Sequence, residues 1–547
     1  MSSKIIKDSI HGYITLDETF SYIIDSPEFQ RLKYIEQGSF RVLYPAARHD
    51  RFIHSLGTYH LACKFAQNFI QNIQEDLNIN LDKVKIEEVQ NTFYYAALLH
   101  DIGHAPFSHT TEKFFKRKTE SDGSSISINM QLCNAVFSIA EENEAERFKQ
   151  EFEDCSPSPH EIMSATILIN NADNFLRDMK DKFDLELAAR MVIGCTYDYN
   201  SQEEILKEEK LFLGIKNCFI RLLNSDTVDV DKLDYITRDT RMSGFDNVSI
   251  DIERLVRSVT AIRLENEEWI YPAFRKNALS VIDNVFRAKT EQGLWMVSHP
   301  IVLYDSELLS YCIHRLDSLV GHDYISNVFS IDALGQKGVT VNGKRYRLLS
   351  DIDISADLRT FYEKEELFRE LYERQTRRHP IWKSYYEYKY LFKSEKNTNT
   401  EEDVFVFFKG LMDYMKDSEI FVLCDESLEK ILENDQVSKN VKDAAFFLKS
   451  FCENNNIKLN FALLPSTNSF SPKFNAESVY ILFAKLPDRN GKNYETYNFI
   501  KESGSNEDKH RMFYLYSQEK FSKEQIESFK ETIINHVERI NKKMPRP

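Results

Sequence analysis

The segment best equipped for chemistry is residues 96–109, AALLHDIGHAPFSH, in which an apolar run ends abruptly in His100 and Asp101. The spacing of the apolar residues predicts a helix and places His100 on its buried stripe. A buried imidazole and carboxylate need a partner, because burying an uncompensated charge is costly. A metal ion is one such partner, since imidazole and carboxylate together suit Zn, Fe, Mn or Ni.

The histidines are concentrated around this segment. Six of the fourteen lie in the range 49–109. Of the three His-Asp dipeptides, only that at 100–101 closes a long apolar helix. Glycine and proline follow it, so the chain is predicted to turn and bring His104 and His109 back. Taken singly, these histidines are better interpreted as capping or hydrogen-bonding residues of a core.

A metal site needs further ligands from neighbouring helices. His54, in RFIHSLG, is predicted to lie just ahead of a helix start, and Asp231 belongs to the acidic block VDVDKLDY. Two histidines and two aspartates would leave coordination positions open for water and a phosphate oxygen, as metal-assisted hydrolysis requires.

The order H…HD…D, within the text RFIHSLG, LLHDIGHAPFSH, HE and DVDKLDYITRD, resembles the HD-domain phosphohydrolases. Together with the N-terminal text KIIKDSIHGYITL…IIDSPEFQRLKYIEQ, it is similar to their deoxynucleoside triphosphate triphosphohydrolase (dNTPase, or dGTPase-like) branch. The resemblance implies a mainly α fold, with a helical HD core and small β-hairpins over 1–393. After the polar run 394–403, residues 404–547 alternate helix and strand patterns, which predicts a smaller α+β domain of unknown role.

The resemblance also implies roles for individual residues. The ligands of a divalent metal (Mn, Fe, Mg or Zn) would be His54, His100, Asp101 and Asp231. The catalytic residues would be His104 against the α-phosphate, His160 in proton transfer and Glu161, which would orient His160. The substrate-binding residues would be Gln37, Gly38, Arg51, His109, Lys232, Tyr235, Asp239 and Lys289.

The implied reaction is attack of water at the α-phosphorus, releasing a deoxynucleoside and inorganic triphosphate. Family members that exclude ribonucleotides can have a bulky residue after the glutamine at position 37, where this chain has Gly38. Its missing side chain would open the pocket, so deoxyribose selectivity is the favoured hypothesis and ribose exclusion stays open. Alignment with the arginine and tyrosine that clamp phosphate and base places Lys289 and Val297 there, with Trp295 as the ring if the register slips by two.

Nucleotide-activated members of the branch carry a second nucleotide site between subunits. The corresponding residues are Lys4, Ile5, Asp25, Gln30, Lys33, Arg254 and Arg275. If they bind an activating nucleotide, the protein should be a homo-oligomer, either a dimer or a tetramer. The alternative interpretation is a set of solvated charges on a helix face.

Composition narrows the remaining possibilities. A net charge of −16 disfavours duplex nucleic acid as a partner, and no apolar run approaches the ~20 residues of a membrane span. The eight cysteines are scattered singly, which predicts reduced thiols in a cytoplasmic protein. Two other functions compete with nucleotide-pool or antiviral dNTP hydrolysis: an HD phosphodiesterase or nuclease, and a nucleotide-sensing scaffold with a silent site.

Overall fold

The computed structural model describes residues 3–115, 117–119, 125–198, 207–245, 249–264, 269–393, 400–466, 479–483, 493–497 and 511–543. Helices dominate these residues, which confirms the predicted mainly α fold. No helix in the described ranges combines the length and apolar character needed to cross a bilayer.

The regular elements are numbered in chain order. The α-helices are α1 (Glu18–Ile24), α2 (Pro27–Gln30), α3 (Arg51–Asp76), α4 (Lys83–Leu99), α5 (Ile128–Phe137), α6 (Glu142–Glu153), α7 (Pro159–Asn170), α8 (Ala172–Leu176), α9 (Leu185–Ile193), α10 (Lys207–Leu223), α11 (Val230–Ser243), α12 (Ile252–Ser258), α13 (Leu279–Gln292), α14 (Pro300–Val320), α15 (Tyr324–Val328), α16 (Ile331–Leu334), α17 (Asp351–Thr360), α18 (Glu366–Tyr372), α19 (Tyr385–Phe392), α20 (Thr400–Asp417), α21 (Asp425–Glu433), α22 (Lys439–Asn455) and α23 (Lys523–Lys543). Short 3₁₀ helices cover Arg31–Tyr34, Ser39–Val42, Ser108–Thr110, Glu112–Phe114, Arg177–Lys182 and Lys276–Ala278, and a π-helical segment covers Gly293–Val297.

The strands are short and form small sheets. They are β1 (Lys4–Asp8), β2 (Gly12–Leu16), β3 (Arg117–Thr119), β4 (Ser125–Ser127), β5 (Val259–Arg263), β6 (Ile270–Arg275), β7 (Val339–Val341), β8 (Lys344–Tyr346), β9 (His379–Pro380), β10 (Leu423–Cys424), β11 (Asn460–Pro465), β12 (Val479–Leu482), β13 (Tyr494–Tyr497) and β14 (Phe513–Ser517). The pairs β1–β2, β3–β4 and β7–β8 are two-stranded hairpins.

The chain divides into two compact units that exchange segments along the sequence. The N-terminal unit comprises Met1–Gln292, Val320–Ala356 and Pro472–Asn506, and the C-terminal unit comprises Gly293–Leu319, Asp357–Ser471 and Glu507–Pro547. This differs from the contiguous domains 1–393 and 404–547 expected from the sequence. Residues 394–399 of the predicted linker 394–403 lie outside the described residues, and its remaining residues, 400–403, form the start of helix α20 rather than a linker.

Strand pairing is the physical reason for the difference. Strand β12 runs parallel to β6, with Tyr480 opposite Ala273, and completes the four-stranded order β13–β12–β6–β5 in the N-terminal unit. Leu482 of β12 packs against Ile262 and Ala273 there. Residues far beyond position 404 therefore belong to the first unit.

Two packed helices support the N-terminal unit. Helix α3 begins at Arg51 because the carboxylate of Asp50 accepts a hydrogen bond from the backbone N–H of Ile53. The apolar stripe of α3 is fully buried, as is the stripe of α4 that includes Phe93 and Ala96. His54 therefore lies in the first turn of α3 rather than ahead of it, because the cap is at Asp50.

The C-terminal unit combines helices with an antiparallel sheet of order β10–β11–β14–β9. Trp382 is buried beside this sheet, and its indole N–H donates to the backbone oxygen of Phe513 at 2.6 Å. Helices α20, α22 and α23 pack together in the same unit.

Candidate metal centre

Three elements of the N-terminal unit converge at the candidate site. The first turn of α3 supplies Arg51 and His54, the C-terminal end of α4 supplies His100 and Asp101, and the first turn of α11 supplies Asp231. His54 is fully buried and Asp101 nearly so. The histidines and aspartates predicted as metal ligands are thus brought together from distant parts of the sequence.

The separations between their donor atoms fit a single ion. His54 Nε2 lies 3.3 Å from His100 Nε2 and 2.9 Å from Asp231 Oδ1, and His100 Nε2 lies 3.4 Å from the same Asp231 oxygen. Asp101 Oδ2 is 3.6 Å from His54 Nε2, and its Oδ1 is 3.5 Å from His100 Nε2. Donors that bind one ion at roughly 2.0–2.2 Å are themselves about 3 to 3.5 Å apart. The residues present therefore suit a divalent metal.

Hydrogen bonds behind the cluster select the tautomer of each imidazole. His100 Nδ1 lies 2.9 Å from the backbone oxygen of Ala97, which accepts only, so the Nδ1–H donates and Nε2 carries the lone pair. His54 Nδ1 lies 2.8 Å from Asp234 Oδ2, which imposes the same tautomer. Burial lowers the pKa of His54, but hydrogen bonds to Asp231 and Asp234 outweigh it and raise that pKa to about 10 without an ion, so a divalent metal at Nε2 would displace a proton.

Arg51 fixes the carboxylate of Asp101. Its Nη1 donates to Asp101 Oδ2 at 2.8 Å, Nε to Ser108 Oγ at 3.0 Å and Nη2 to the backbone oxygen of Gln37 at 2.9 Å. Burial raises the pKa of Asp101, but Arg51 and the nearby imidazoles hold it well below its ordinary value. Arg51 therefore keeps the Asp101 carboxylate ionised.

A second cluster lies beside the first and consists of His104, His109, His160 and Glu112. Glu112 Oε1 is 3.1 Å from His109 Nδ1, and Oε2 is 2.5 Å from His160 Nδ1. The rings of His104 and His160 stack with centroids 4.0 Å apart and planes 15° apart. In-plane lone pairs of two nearly parallel rings do not converge on one point, although the three imidazoles have nitrogens within 4.8 Å of one another. This arrangement suits proton transfer and anion binding better than metal ligation.

The two stacked imidazoles differ in charge. Burial lowers the pKa of His160, but the Glu112 carboxylate outweighs burial and raises it to about 9. Burial, with Arg51 nearby, lowers the pKa of His104 well below its ordinary value. At neutral pH a protonated His160 therefore lies against a neutral His104.

Glu161 does not orient His160, contrary to the sequence-based expectation. Its Oε2 accepts the backbone N–H of Ser158 at 2.5 Å as part of a capping box at the start of α7. Its Oε1 accepts from Asn224 Nδ2 at 2.8 Å. The carboxylate on His160 is Glu112, for which the only sequence signal is its position three residues after His109.

A close backbone approach holds the two clusters together. The N–H of Gly103 donates to Ser164 Oγ at 2.8 Å, and a Cβ added at Gly103 would lie 2.3 Å from the backbone nitrogen of Ser164. Only glycine permits this contact between the loop after α4 and helix α7. The contact places His104 of the loop against His160 of the helix.

The residues predicted for phosphate and base lie along α11 and α13. Lys232 donates to the backbone oxygen of Ser225 at 2.5 Å and pairs with Asp229. Lys289 Nζ lies 5.5 Å from the ring centre of Tyr235, so these two predicted residues are neighbours. Trp295 and Val297 belong to the π-helical segment of the C-terminal unit.

The residues predicted for the sugar are buried and partly engaged. Asp239 Oδ1 lies 2.6 Å from His49 Nε2, and its Oδ2 accepts from Gln292 Nε2 at 2.7 Å. Sequence reasoning missed His49 and Gln292. The side-chain oxygen of Gln37 is buried and accepts no hydrogen bond from the described protein atoms. A ligand hydroxyl would satisfy it.

The space beside Gly38 is occupied by the side chain of Phe40. A Cβ on Gly38 would lie 2.6 Å from the ring of Phe40, which is itself buried. The pocket opening expected from the missing side chain is therefore filled, at least next to the backbone, by the Phe40 ring.

The residues of the candidate activator site fall into two groups. Lys4 pairs with Asp25, Gln30 Nε2 donates to the backbone oxygen of Ile24 at 2.6 Å, and Lys33 Nζ donates to Gln30 Oε1 at 2.7 Å. Ile5, next to Lys4 on β1, is exposed.

The arginines of that site have other surroundings. Arg275 donates to Asp76 from Nε at 2.9 Å and from Nη2 at 3.1 Å, and Arg254 is exposed near the start of α12. The hydrogen bonds and ion pairs among the described residues do not join these arginines to the first group.

Comparison with known proteins agrees with this geometry. The HD domain family model matches residues 51–178, which contain His54, His100, Asp101 and His160. The chain contains an HD domain. It is 30% identical over 256 residues to a deoxynucleoside triphosphate triphosphohydrolase SAMHD1 homolog of Dictyostelium discoideum, covering 47% of this chain and 39% of that protein.

Other relatives show the same partial coverage. The identity to deoxynucleoside triphosphate triphosphohydrolase SAMHD1 of Gallus gallus is 30% over 274 residues, 49% of this chain and 38% of that protein. An uncharacterized protein of Methanocaldococcus jannaschii is 29% identical over 301 residues, 55% of this chain and 47% of that protein. The chain therefore spans less than half the length of these relatives. Two of these three relatives are named as deoxynucleoside triphosphate triphosphohydrolases.

Proposed function

We propose that this HD-domain protein hydrolyses deoxynucleoside triphosphates to a deoxynucleoside and inorganic triphosphate. The observation that carries the proposal is the convergence of His54, His100, Asp101 and Asp231 beside the buried His160, whose Nδ1 lies 2.5 Å from Glu112 Oε2. The similarity to proteins named as dNTP triphosphohydrolases supports the substrate class.

Different residues of the site are assigned metal binding, proton donation and phosphate binding. A divalent metal bound by the four ligands would supply Lewis acidity toward a phosphate oxygen and lower the pKa of water. Water attacks the α-phosphorus, the bond from that phosphorus to the sugar 5′-oxygen breaks, and the leaving oxygen takes up a proton. His160 carries a proton at neutral pH and is assigned as its donor. His104 and His109 are assigned to the phosphates beside it.

Recognition of the sugar is assigned to Gln37, Tyr235 and Asp239. The buried oxygen of Gln37 is an acceptor in need of a donor, which a sugar hydroxyl supplies. The ring of Phe40 takes the space next to Gly38, so it is assigned the part in excluding a 2′-hydroxyl that a bulky neighbour of the glutamine would play.

The proposal also includes a second nucleotide site that activates the protein. The group formed by Lys4, Asp25, Gln30 and Lys33 is proposed to bind an activating nucleotide in a homo-oligomer. Size-exclusion chromatography with and without nucleoside triphosphates tests this, since a site between subunits predicts a larger species with nucleotide.

The proposed biological role is antiviral. Depletion of the dNTP pool by this activity would restrict viral DNA synthesis.

The product distinguishes the proposed activity from its alternatives. The full chain is incubated with each dNTP and NTP in the presence of Mn²⁺ or Mg²⁺, and the products are separated by chromatography. Nucleoside with inorganic triphosphate supports the proposal. Nucleoside monophosphate or pyrophosphate indicates an HD phosphodiesterase or nuclease, and no turnover in any nucleotide mixture indicates a scaffold.

Removing the central dipeptide tests the metal assignment. Replacing His100 and Asp101 with alanine should abolish bound metal and hydrolysis together, because two of the four ligands are lost. The matched control replaces His322 and Asp323, an exposed His-Asp pair, and should retain both properties. Retained hydrolysis in the first variant would contradict the assignment.

A further inference from the structure

One fully buried carboxylate lies directly behind the metal ligands without belonging to them. Asp234, one helical turn after Asp231 on α11, has no solvent exposure. Its Oδ2 lies 2.8 Å from His54 Nδ1, the ring nitrogen that faces away from the cluster. A carboxylate in this position orients a metal-binding imidazole and fixes its tautomer.

Two other side chains hold Asp234 in place. Arg238 Nε donates to Asp234 Oδ2 at 2.8 Å, and Arg238 Nη2 donates to Oδ1 at 2.9 Å. His11 Nε2 lies 2.6 Å from the same Oδ1. With His54, four nitrogens surround the carboxylate, which compensates the cost of burying its charge.

Arg238 and His11, which hold Asp234, are both connected to the N-terminal hairpin β1–β2. His11 lies in its turn, and Asp8 ends β1. Asp8 Oδ2 accepts from Arg238 Nη1 at 2.8 Å, and Asp8 Oδ1 accepts the backbone N–H groups of Ile10 at 2.8 Å and His11 at 2.7 Å. The carboxylate of Asp8 thus shapes the turn and binds the arginine that holds Asp234.

The helix that carries His54 leaves room for this network. A Cβ on Gly57 would lie 1.9 Å from Asp234 Oδ1 and 2.5 Å from Arg238 Nη2. Helix α3 therefore has glycine at the point where the carboxylate and guanidinium reach across to His54. The glycine at position 57 is thus a second observation, separate from the hydrogen bonds, that supports the network.

We propose that the turn of the N-terminal hairpin is a positioning element of the metal centre, acting through His11 and Asp234 on His54. The proposal rests on the metal centre of the proposed function and assigns it residues outside the matched range 51–178. In this arrangement the affinity of the site for its ion depends on a hairpin that contributes no ligand.

The test compares substitutions at His11. His11→Leu removes the hydrogen bond to Asp234, whereas His11→Gln places an amide N–H near the position of Nε2. The control is Tyr13→Ala, on the same hairpin with an exposed side chain. Each full-length variant is titrated with Co²⁺ and Mn²⁺, recording the visible Co²⁺ spectrum and the dissociation constant by chelator competition. Thermal unfolding without metal is measured in parallel.

The expected result is a loss in affinity of about 10- to 100-fold for His11→Leu, with a changed Co²⁺ spectrum. His11→Gln should recover most of the affinity, and Tyr13→Ala should match the unsubstituted chain. If His11→Leu does not fold, Asp234→Asn provides the test instead. Asparagine keeps the shape of the Asp234 side chain but has one acceptor oxygen, so it can no longer accept from His54 and from its other partners at the same time.

The outcomes separate this inference from the proposed function. Unchanged affinity and spectrum in a folded His11→Leu or Asp234→Asn variant overturn the inference alone. An unsubstituted chain that binds neither ion overturns both. Normal ion binding that responds to His11, in a chain that hydrolyses no dNTP, supports the inference and overturns the proposed function.

Discussion

At the residue scale, the acid–base chemistry depends on which carboxylate contacts His160. Glu112 contacts both His109 and His160, while Glu161 is committed to the cap of α7. Glu112 is thus the carboxylate in contact with His160, whereas Glu161 holds the start of its helix and has a smaller electrostatic effect on its pKa.

Replacing Glu112 with glutamine should change the pH dependence of hydrolysis. Burial lowers the pKa of His160 and Glu112 raises it to about 9, so the general acid of the unsubstituted chain is lost only above about pH 9. Without the Glu112 charge, the alkaline limb of kcat/KM should move toward neutral pH. The pH–rate profile of each variant measures this shift.

The matched control is Glu161→Gln, which should move the alkaline limb less than Glu112→Gln, because Glu161 has the smaller effect on the pKa of His160, and should keep the cap of α7, since glutamine also closes a capping box. The pH dependence of the free energy of unfolding gives a second measurement of the His160–Glu112 pairing. The raised pKa of His160 means that its pairing stabilises the fold fully below pH 6.5 and is lost as pH rises through about 9. An unchanged profile for Glu112→Gln would show that another group controls the proton.

Phe40 is the residue expected to control sugar selectivity. Phe40→Ala should raise hydrolysis of ribonucleotides relative to deoxyribonucleotides, because it empties the space next to Gly38. The ratio of kcat/KM for each NTP and its dNTP measures this effect. Val42→Ala, in the same 3₁₀ helix, is the control and should leave the ratio unchanged. An unaltered ratio in Phe40→Ala would place the selectivity elsewhere.

The sequence singled out the four residues that the structure brings together, but not the side chains that surround them. His100 and Asp101 are recognisable because they close an apolar helix, and His54 and Asp231 follow from the family resemblance. Asp234 was not recognised as a partner of His54, since its contacts join residues far apart in the chain. Such pairings leave no periodic signal in a single sequence.

At the element scale, the loop after α4 has an unusual backbone that is held from outside. Phe107 and Ser108 have φ values of 59° and 52°, in the left-handed region that non-glycine residues rarely adopt. Asp351, at the start of α17, accepts the N–H of Phe107 at 2.6 Å and that of Glu36 at 2.9 Å. The loop also carries His104 and its orientation therefore depends on α17.

Asp351→Ala should destabilise this loop and the fold. It leaves two partly buried backbone N–H groups without their acceptor, at a cost of up to about 1–3 kcal/mol each. Burial raises the pKa of Asp351 to about 7, so its contribution to stability is full below its ordinary pKa of 3.8 and is lost as pH rises through about 7. Denaturant unfolding from pH 5 to 8 measures both effects.

The neighbouring substitution Ile352→Ala is the control for Asp351→Ala, because Ile352 is exposed. It should change the free energy of unfolding little at any pH. Equal stabilities of the two variants would show that the Asp351 carboxylate does not hold the loop.

Element boundaries are readable from the sequence where a turn or a proline marks them. The chain turns at His11 between β1 and β2, and α2 has Pro27 at its first position. Helix α2 is short, since the chain continues as a 3₁₀ helix from Arg31. Buried Arg31 donates to the backbone oxygens of Ile102 and His104, a tertiary constraint that helical periodicity does not reveal.

At the scale of the whole molecule, the two units are not consecutive in the chain. The pairing of β12 with β6 brings residues near position 480 into the N-terminal unit. In the C-terminal unit, β9 near position 380 pairs with β14. A single boundary was inferred from the polar run 394–403, because pairing across such separations has no local signature.

A chain truncated after residue 393 should therefore be unstable. It would leave β6 without β12 in the N-terminal unit and Trp382 without the backbone oxygen of Phe513 in the C-terminal unit. Aggregation or a lowered unfolding temperature is expected relative to the full chain. Co-expression with residues 394–547 is the control and should restore solubility. A monodisperse fragment that unfolds at the temperature of the full chain would contradict the interleaved architecture.

Gly103 constrains how this molecule can change over evolutionary time. Its backbone touches that of Ser164 with no space for even a methyl group. A lineage that replaced Gly103 would therefore separate His160 from the candidate metal ligands while leaving each of those ligands intact. Its descendants are expected to keep their affinity for a divalent metal and to lose the proposed activity.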